Sequence, residues 1–358
     1  MYRKSIVAAL VALALVVMSQ PSQATAYRIE AGSVDLAQTL NGQTTFEAVT
    51  FAQAYATAPI VIAMPTDAGA DPTALRIRNV TTTGFEIAQV EPLNRDGQHA
   101  AMPDVSYLVM QAGTAVLPDG TIIEAGFHST STTVQKFGGG GGYDSLAFAN
   151  NFGTGPALLT MIQTMNNESA TDPPPGGAST PWLTTATQSG SISATGANIA
   201  LERAEVNDGA TVSVDEVIGY IAMTPGAGVL PNGVLYDAFI STDTIDGWDN
   251  NGNDGSNGNG DNIAYNQTFA TAPLVLASLA RRDGADGGWL RRGDNSAAGV
   301  NLTVDEDNFT DAERSHTTEG ASIVAFSEAF AVTIPEPMTA MMGVIGLGAL
   351  AMRRRRLA

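Results

Sequence analysis

The chain has 358 residues, with 17 Lys+Arg against 36 Asp+Glu and no cysteine. A net charge of −19 argues against nucleic acid as a partner, because phosphate binding draws on clustered Lys and Arg. Disulfides are excluded, and so are Cys/His zinc sites, since His99, His128 and His316 are the only soft ligands and lie far apart. Hydrophobic content of 44% still supplies a core, so the acidity does not signal disorder.

At the N-terminus Arg3 and Lys4 precede an apolar run, Ile6 to Met18, which ends in the small-residue cleavage pattern Ala24-Thr25-Ala26. This predicts a secretory signal peptide over residues 1–26, processed at Ala24 and Ala26.

The middle of the chain repeats itself. Val116-Leu117-Pro118-Asp119-Gly120 returns as Val229-Leu230-Pro231-Asn232-Gly233 at a spacing of 113 residues, and Tyr107 and Tyr220 keep that register. Ile29-Glu30-Ala31-Gly32 matches Ile123-Glu124-Ala125-Gly126, and Asp237 follows in a third copy. The Pro-led apolar run beginning at Pro59 recurs at Pro156 and Pro273, and a Thr-Gly or Ala-Gly strand start recurs at Gly84, Gly196 and Gly299. The units are expected at 27–121, 122–234 and 235–334. Period-two alternation around Val105, Tyr107 and Val109, with Pro-Asp-Gly and Pro-Asn-Gly turns, predicts an all-β fold. About six short strands per unit suggest three tandem antiparallel β-sandwich modules.

The order of these markers resembles the H-type lectin domain, most clearly in Val49-Thr50-Phe51, Pro59-Ile60-Val61, Leu75-Arg76-Ile77 and Thr83-Gly84-Phe85. The resemblance implies a six-stranded antiparallel sandwich that assembles in threes and binds galactose-type sugars near subunit contacts. Three tandem copies would then form an intrachain pseudo-trimer, with a homo-oligomer as the other arrangement. Arg76 and Arg291 each lie eight residues before the glycine of the next strand, the spacing of a sugar-contacting arginine in that family; the middle unit has Gln188 there. Trp289 shares a strand face with Arg291, which suits stacking against a sugar or a cation. The family's tryptophan after the Gly-Phe strand is replaced by Pro92.

His99 and His316 recur before the last alternating strand, either in a ligand loop or capping a turn. Asp71 and Asp286 recur with Asp67 and Asp283 after the Pro-led strand, as ligand contacts or as solvated turn acids. Asp249, Asn251 and Asn253 have calcium-loop spacing, but Asp254 and Gly260 stand where an EF-hand needs Gly and Glu. Calcium in an irregular loop is the one cofactor this chain suggests. Nucleophile, phosphate-loop and zinc-protease motifs are missing, so the expectation is a non-enzymatic protein.

At the C-terminus Pro335-Glu336-Pro337 leads into an apolar stretch, Met338 to Met352, and then Arg353, Arg354, Arg355 and Arg356. The arginines hold that end in the cytoplasm, which places the body across the membrane. This order resembles the PEP-CTERM sorting signals of exported proteins from double-membrane bacteria. The resemblance implies a hydrophobic sorting helix over 335–358, an exosortase-type membrane protease as partner and a transient membrane anchor. Without the two ends the body holds 11 Lys and Arg against 35 Asp and Glu, a surface that repels anionic polymers. The sequence thus suggests an exported envelope or exopolysaccharide-matrix protein that binds carbohydrate; the alternative is a structural matrix or adhesion protein without a sugar site.

Overall fold

The apolar runs after Pro59, Pro156 and Pro273 do not alternate, and burial shows why. Ile60–Met64 is buried at every residue, and Ala157–Ile162 and Leu274–Leu279 are nearly so. A strand covered on both faces has no solvent side to encode with polar residues. The computed structural model describes residues 26–39, 45–92, 98–134, 141–168, 181–203, 211–250, 260–307 and 313–335. Among these the regular elements are all β.

In the first repeat the strands are β1 (Ala26–Leu36), β2 (Glu47–Thr50), β3 (Ile60–Met64), β4 (Ala74–Arg78), β5 (Gly84–Val90), β6 (Met102–Met110) and β7 (Gly113–Val116). The second holds β8 (Ile122–Thr130), β9 (Thr133–Val134), β10 (Asp144–Ala147), β11 (Ala157–Ile162), β12 (Thr184–Thr187), β13 (Gly196–Glu202), β14 (Glu216–Met223) and β15 (Gly226–Val229). The third holds β16 (Leu235–Ile240), β17 (Asp261–Ala264), β18 (Leu274–Leu279), β19 (Trp289–Asn295), β20 (Gly299–Asp305), β21 (Ala321–Phe326) and β22 (Phe330–Pro335).

The first and third stretches therefore hold seven strands and the second eight, against the expected six, and the last strand of each belongs elsewhere. The four-stranded sheets run β22-β1-β6-β3, β11-β14-β8-β7 and β15-β16-β21-β18. Thus β7 pairs with the sheet of the second repeat, β15 with that of the third, and β22 returns to the first. Gly113 and Gly226, at φ of +132° and +147°, open β7 and β15 and turn the chain out of its own sheet. The Leu-Pro-Asp-Gly and Leu-Pro-Asn-Gly motifs are the hairpin turns that follow, closed by Gly120 N–H to Leu117 O and Gly233 N–H to Leu230 O, both 2.9 Å. The clearest sequence repeat is thus a turn inside a sheet, immediately after an exchanged strand.

Three further sheets, β2-β5-β4, β10-β13-β12 with β9 parallel to β13, and β17-β20-β19, lie over these. In the first sandwich Val61 and Ala63 face Leu75, Ile77, Phe85 and Ile87. The alternate residues Ile60, Ile62 and Met64 face the other way, into a core shared with Leu159 of β11 and Leu276 of β18. One set of side chains closes each sandwich while the other joins the three large sheets, so Tyr27–Ile334 forms one compact unit.

The acidic residue of each opening strand occupies the same register. Glu30 lies opposite Val109, which lies opposite Val61; Glu124, Ala222 and Leu158 repeat the row, as do Asp237, Ala325 and Val275. All three carboxylates are buried and accept backbone N–H groups from the turns after β2, β10 and β17: Ala52, Ala149 with Asn150, and Asn266 with Gln267. Burial raises the Glu30 carboxyl above its usual range, and the Ala52 and Gln53 amides oppose it. Ala24, Glu336, Pro337 and Arg353 to Arg356 lie outside the described residues; Ala26 opens β1 and Pro335 ends β22. Among the described residues no helix is long and apolar enough to cross a membrane.

Candidate functional site

The arginines singled out for sugar contact are interior residues. Arg76 on β4 is 4% exposed. Its Nε donates to Glu168 Oε2 at 2.5 Å, Nη2 to Oε1 at 2.8 Å and Nη1 to Leu75 O at 3.0 Å. The guanidinium also lies 4.7 Å from the centre of the Trp182 ring. Burial raises the Glu168 carboxyl, and the charge of Arg76 opposes it. This bidentate pair ties the first repeat to the second.

Arg291 on β19 is completely buried. It donates to Thr66 O and Asp71 O, both at 3.0 Å, to Ala68 O at 2.7 Å, and to Asp305 Oδ2 at 2.9 Å. Four of its acceptors, including Gly69 O, are carbonyls of one loop of the first repeat. Asp305 also pairs with Arg314, whose Nη1 reaches Ala70 O at 2.6 Å, and the Arg291 and Arg314 guanidinium groups lie 4.5 and 4.2 Å from the centre of the Trp248 ring. Burial lowers the Arg291 pKa and Asp305 opposes the shift. Arg282 with Glu202 forms the corresponding tie between the second and third repeats.

Trp289 is 7% exposed, donates to Thr73 O at 2.8 Å and packs on Trp182 with ring centres 4.8 Å apart. Arg291 and Trp289 therefore do share a strand but offer no open stacking face. Gln188 is not the middle counterpart of the arginines. Arg76 pairs with Ala88 and Arg291 with Thr303, four residues after the strand glycine; in the second repeat that place pairs with Ala186. A longer β12–β13 turn displaces Gln188, which bonds Asn198 instead.

Both predicted histidines close loops. His99 is 2% exposed and lies against Gly69, with Nδ1 donating to Ala100 O at 2.9 Å. Burial lowers its pKa, and Arg291 adds to the effect. His316 lies against Gly284 and between Glu306 and Glu319, each 3.1 Å away. Burial pulls the imidazole down, but the two carboxylates outweigh it and raise the pKa to about 9. Asp71 joins the Arg291 cluster through its backbone carbonyl, whereas half-buried Asp286 lies near Glu306. Asp249 accepts Arg314 N–H at 2.9 Å; Asn251 and Asn253 lie outside the described residues. Among the described residues no grouping of His, Asp and Glu is arranged to hold a metal ion.

Sequence reasoning missed Glu168, Glu202, Asp305, Trp182 and Trp248. A signal existed for two of them: Glu202 and Asp305 each stand six residues after the strand glycine. Nothing local marks the others.

These features define an all-β protein of face-to-face antiparallel sheets whose ionic centres are internal. Its chain is 26% identical to halomucin of Haloquadratum walsbyi over 304 residues, which is 82% of this chain and 3% of that protein. The chain thus spans only a small fraction of its relative's length. No family model matches it, and no solved structure does.

Proposed function

We propose that this is an exported, non-enzymatic protein of the cell envelope or exopolysaccharide matrix whose β body serves as a structural or adhesive unit. The observation that carries this reading is the set of buried arginine ties, Arg76–Glu168, Arg282–Glu202 and Arg291 with the 66–71 loop. Breaking such a pair costs on the order of 3–5 kcal/mol, so each tie resists separation of the repeats it joins. The exchanged strands act in the same direction and suit an intrachain pseudo-trimer. The H-type-lectin role of Arg76, Arg291 and Trp289 gives way here, because their polar atoms are committed to protein acceptors.

Surface location is supported by the likeness to halomucin, by the signal-peptide pattern and by the Pro-Glu-Pro tail. β22 ends at Pro335, so exosortase-type cleavage at this motif would leave the sheet intact. Cell fractionation with an antibody to the body tests the reading. Recovery in the envelope or matrix, with weaker matrix cohesion on deletion, is expected; confinement to the cytoplasm overturns it.

A further inference from the structure

The inner edges of the three large sheets, β3, β11 and β18, meet around a pocket of about 90 Å³. Gln163 shows which residues of β3 face it. Its side chain accepts from Val61 N–H at 2.9 Å and donates to Val61 O at 2.7 Å, so Val61, Ala63 and Pro65 turn their backbone groups away from β6. Pro65 O accepts from Arg292 N–H at 2.9 Å, and on β11 the Thr160 N–H and carbonyl meet Ser278 Oγ at 3.0 and 3.3 Å. Ala63 is served less well. Its N–H reaches only Met161 Sδ, at 3.3 Å, and its carbonyl has no donor among the described residues. A thioether is a weak acceptor on a flexible side chain, so a better acceptor can displace it.

The second repeat leaves the pocket open. Thr185 stands where the other repeats have Leu75 and Leu290, which puts a shorter side chain in the wall. Met161, Ile162, Thr184 and Thr185 are partly exposed while the other lining residues are buried, so the mouth lies between β11 and β12. No acid lines the pocket, and Arg76, its one charge, is held by Glu168 and Leu75 O. An ionic ligand would therefore find no counter-ion there. A volume of 90 Å³ equals about three water molecules, the size of one amide with a small aliphatic group. An acceptor for Ala63 N–H, a donor for its carbonyl and a small apolar body are together what one residue of an extended peptide offers to a sheet edge.

We propose that the inner edge of β3 receives the tip of an uncharged, extended peptide, with one small aliphatic residue entering the pocket and displacing Met161 from Ala63. This goes beyond the structural role and leaves the arginine ties intact. The test is calorimetry with acetyl-trialanine methylamide on the full chain in a maltoside detergent. The comparison ligand is the same peptide N-methylated at every alanine, which keeps the aliphatic surface and loses those donors. Thr185→Leu fills the pocket with the side chain that the other two repeats carry, and Met161→Leu removes only the competing sulfur. Unchanged melting temperatures establish that both variants fold; should Thr185→Leu melt early, the two peptides on the parent decide alone. The expected result is saturable binding by the parent, kept in Met161→Leu and at least tenfold weaker in Thr185→Leu and with the N-methylated peptide. No binding by the parent, equal binding of the two peptides, undiminished binding by folded Thr185→Leu, or loss in Met161→Leu overturns the proposal. The structural reading survives each of these outcomes.

Discussion

Replacing Arg291 by Met removes the guanidinium but keeps much of the side-chain volume. The donors that disappear serve Asp305 and four loop carbonyls. Ala68 O and Gly69 O belong to half-exposed residues and can turn to water, whereas Thr66 is 7% exposed and its carbonyl stays without a donor. Each buried polar group left unpaired costs about 1–3 kcal/mol. Asp305, fully buried, keeps Arg314 and so loses half of its compensation. The net loss should be about 3–5 kcal/mol, the range for breaking one side of a buried pair. Arg78→Met is the control: its pair with Glu86, 2.6 Å long, is about a quarter to a third exposed and should cost below about 1 kcal/mol. Urea unfolding followed by tryptophan fluorescence reads both, because Trp182, Trp248 and Trp289 all sit at these junctions. A loss under about 1 kcal/mol for Arg291→Met would refute the view that this arginine locks the repeats.

Further outcomes follow from the same geometry. A methyl group at Gly84, Gly196 or Gly299 would strike the carbonyl of Val49, Leu146 or Ile263, so each Gly→Ala change should cost about 1–3 kcal/mol in thermal or urea unfolding. Similar losses at all three sites are expected, and one silent site would break the equivalence. Glu124→Gln should cost about 2 kcal/mol, because the carboxylate accepts from Ala149, Asn150 and Tyr220 and the amide reproduces only part of that set. The His316 pKa is raised from 6.5 to about 9, so its stabilisation is complete below pH 6.5 and lost as pH rises through 9. Glu306, pushed up to about 7 by burial, adds the same sign between pH 4.5 and 7. Urea midpoints at pH 6.5, 7.5 and 9 should fall in order, and His316→Gln should flatten that slope.

The β class and the period of the repeats were legible because alternation, turn chemistry and doubly buried runs are local. The Pro-led strands announced their burial through unbroken apolar residues, and the Gly84, Gly196 and Gly299 starts aligned the small sheets. Spacing from those glycines also located Arg76 and Arg291, but their chemical role was not legible. An arginine eight residues before a glycine has the same spacing whether it meets a ligand or a carboxylate 92 positions away, as Arg76 meets Glu168. The two histidines show the same limit: their recurrence marked a loop, and only packing against Gly69 and Gly284 showed what the rings do there.

By itself, then, the sequence determined which segments are strands, where the chain turns and which faces are apolar, since these depend on residues within a few positions of one another. Tertiary structure decided that the closing strand of each repeat joins a neighbouring sheet and that the arginines turn inward. Strand partners and buried charges are chosen by which surfaces remain uncovered once the large sheets pack, and the reach of those contacts, 225 residues between Arg291 and Thr66 and 244 between Arg314 and Ala70, leaves no local trace.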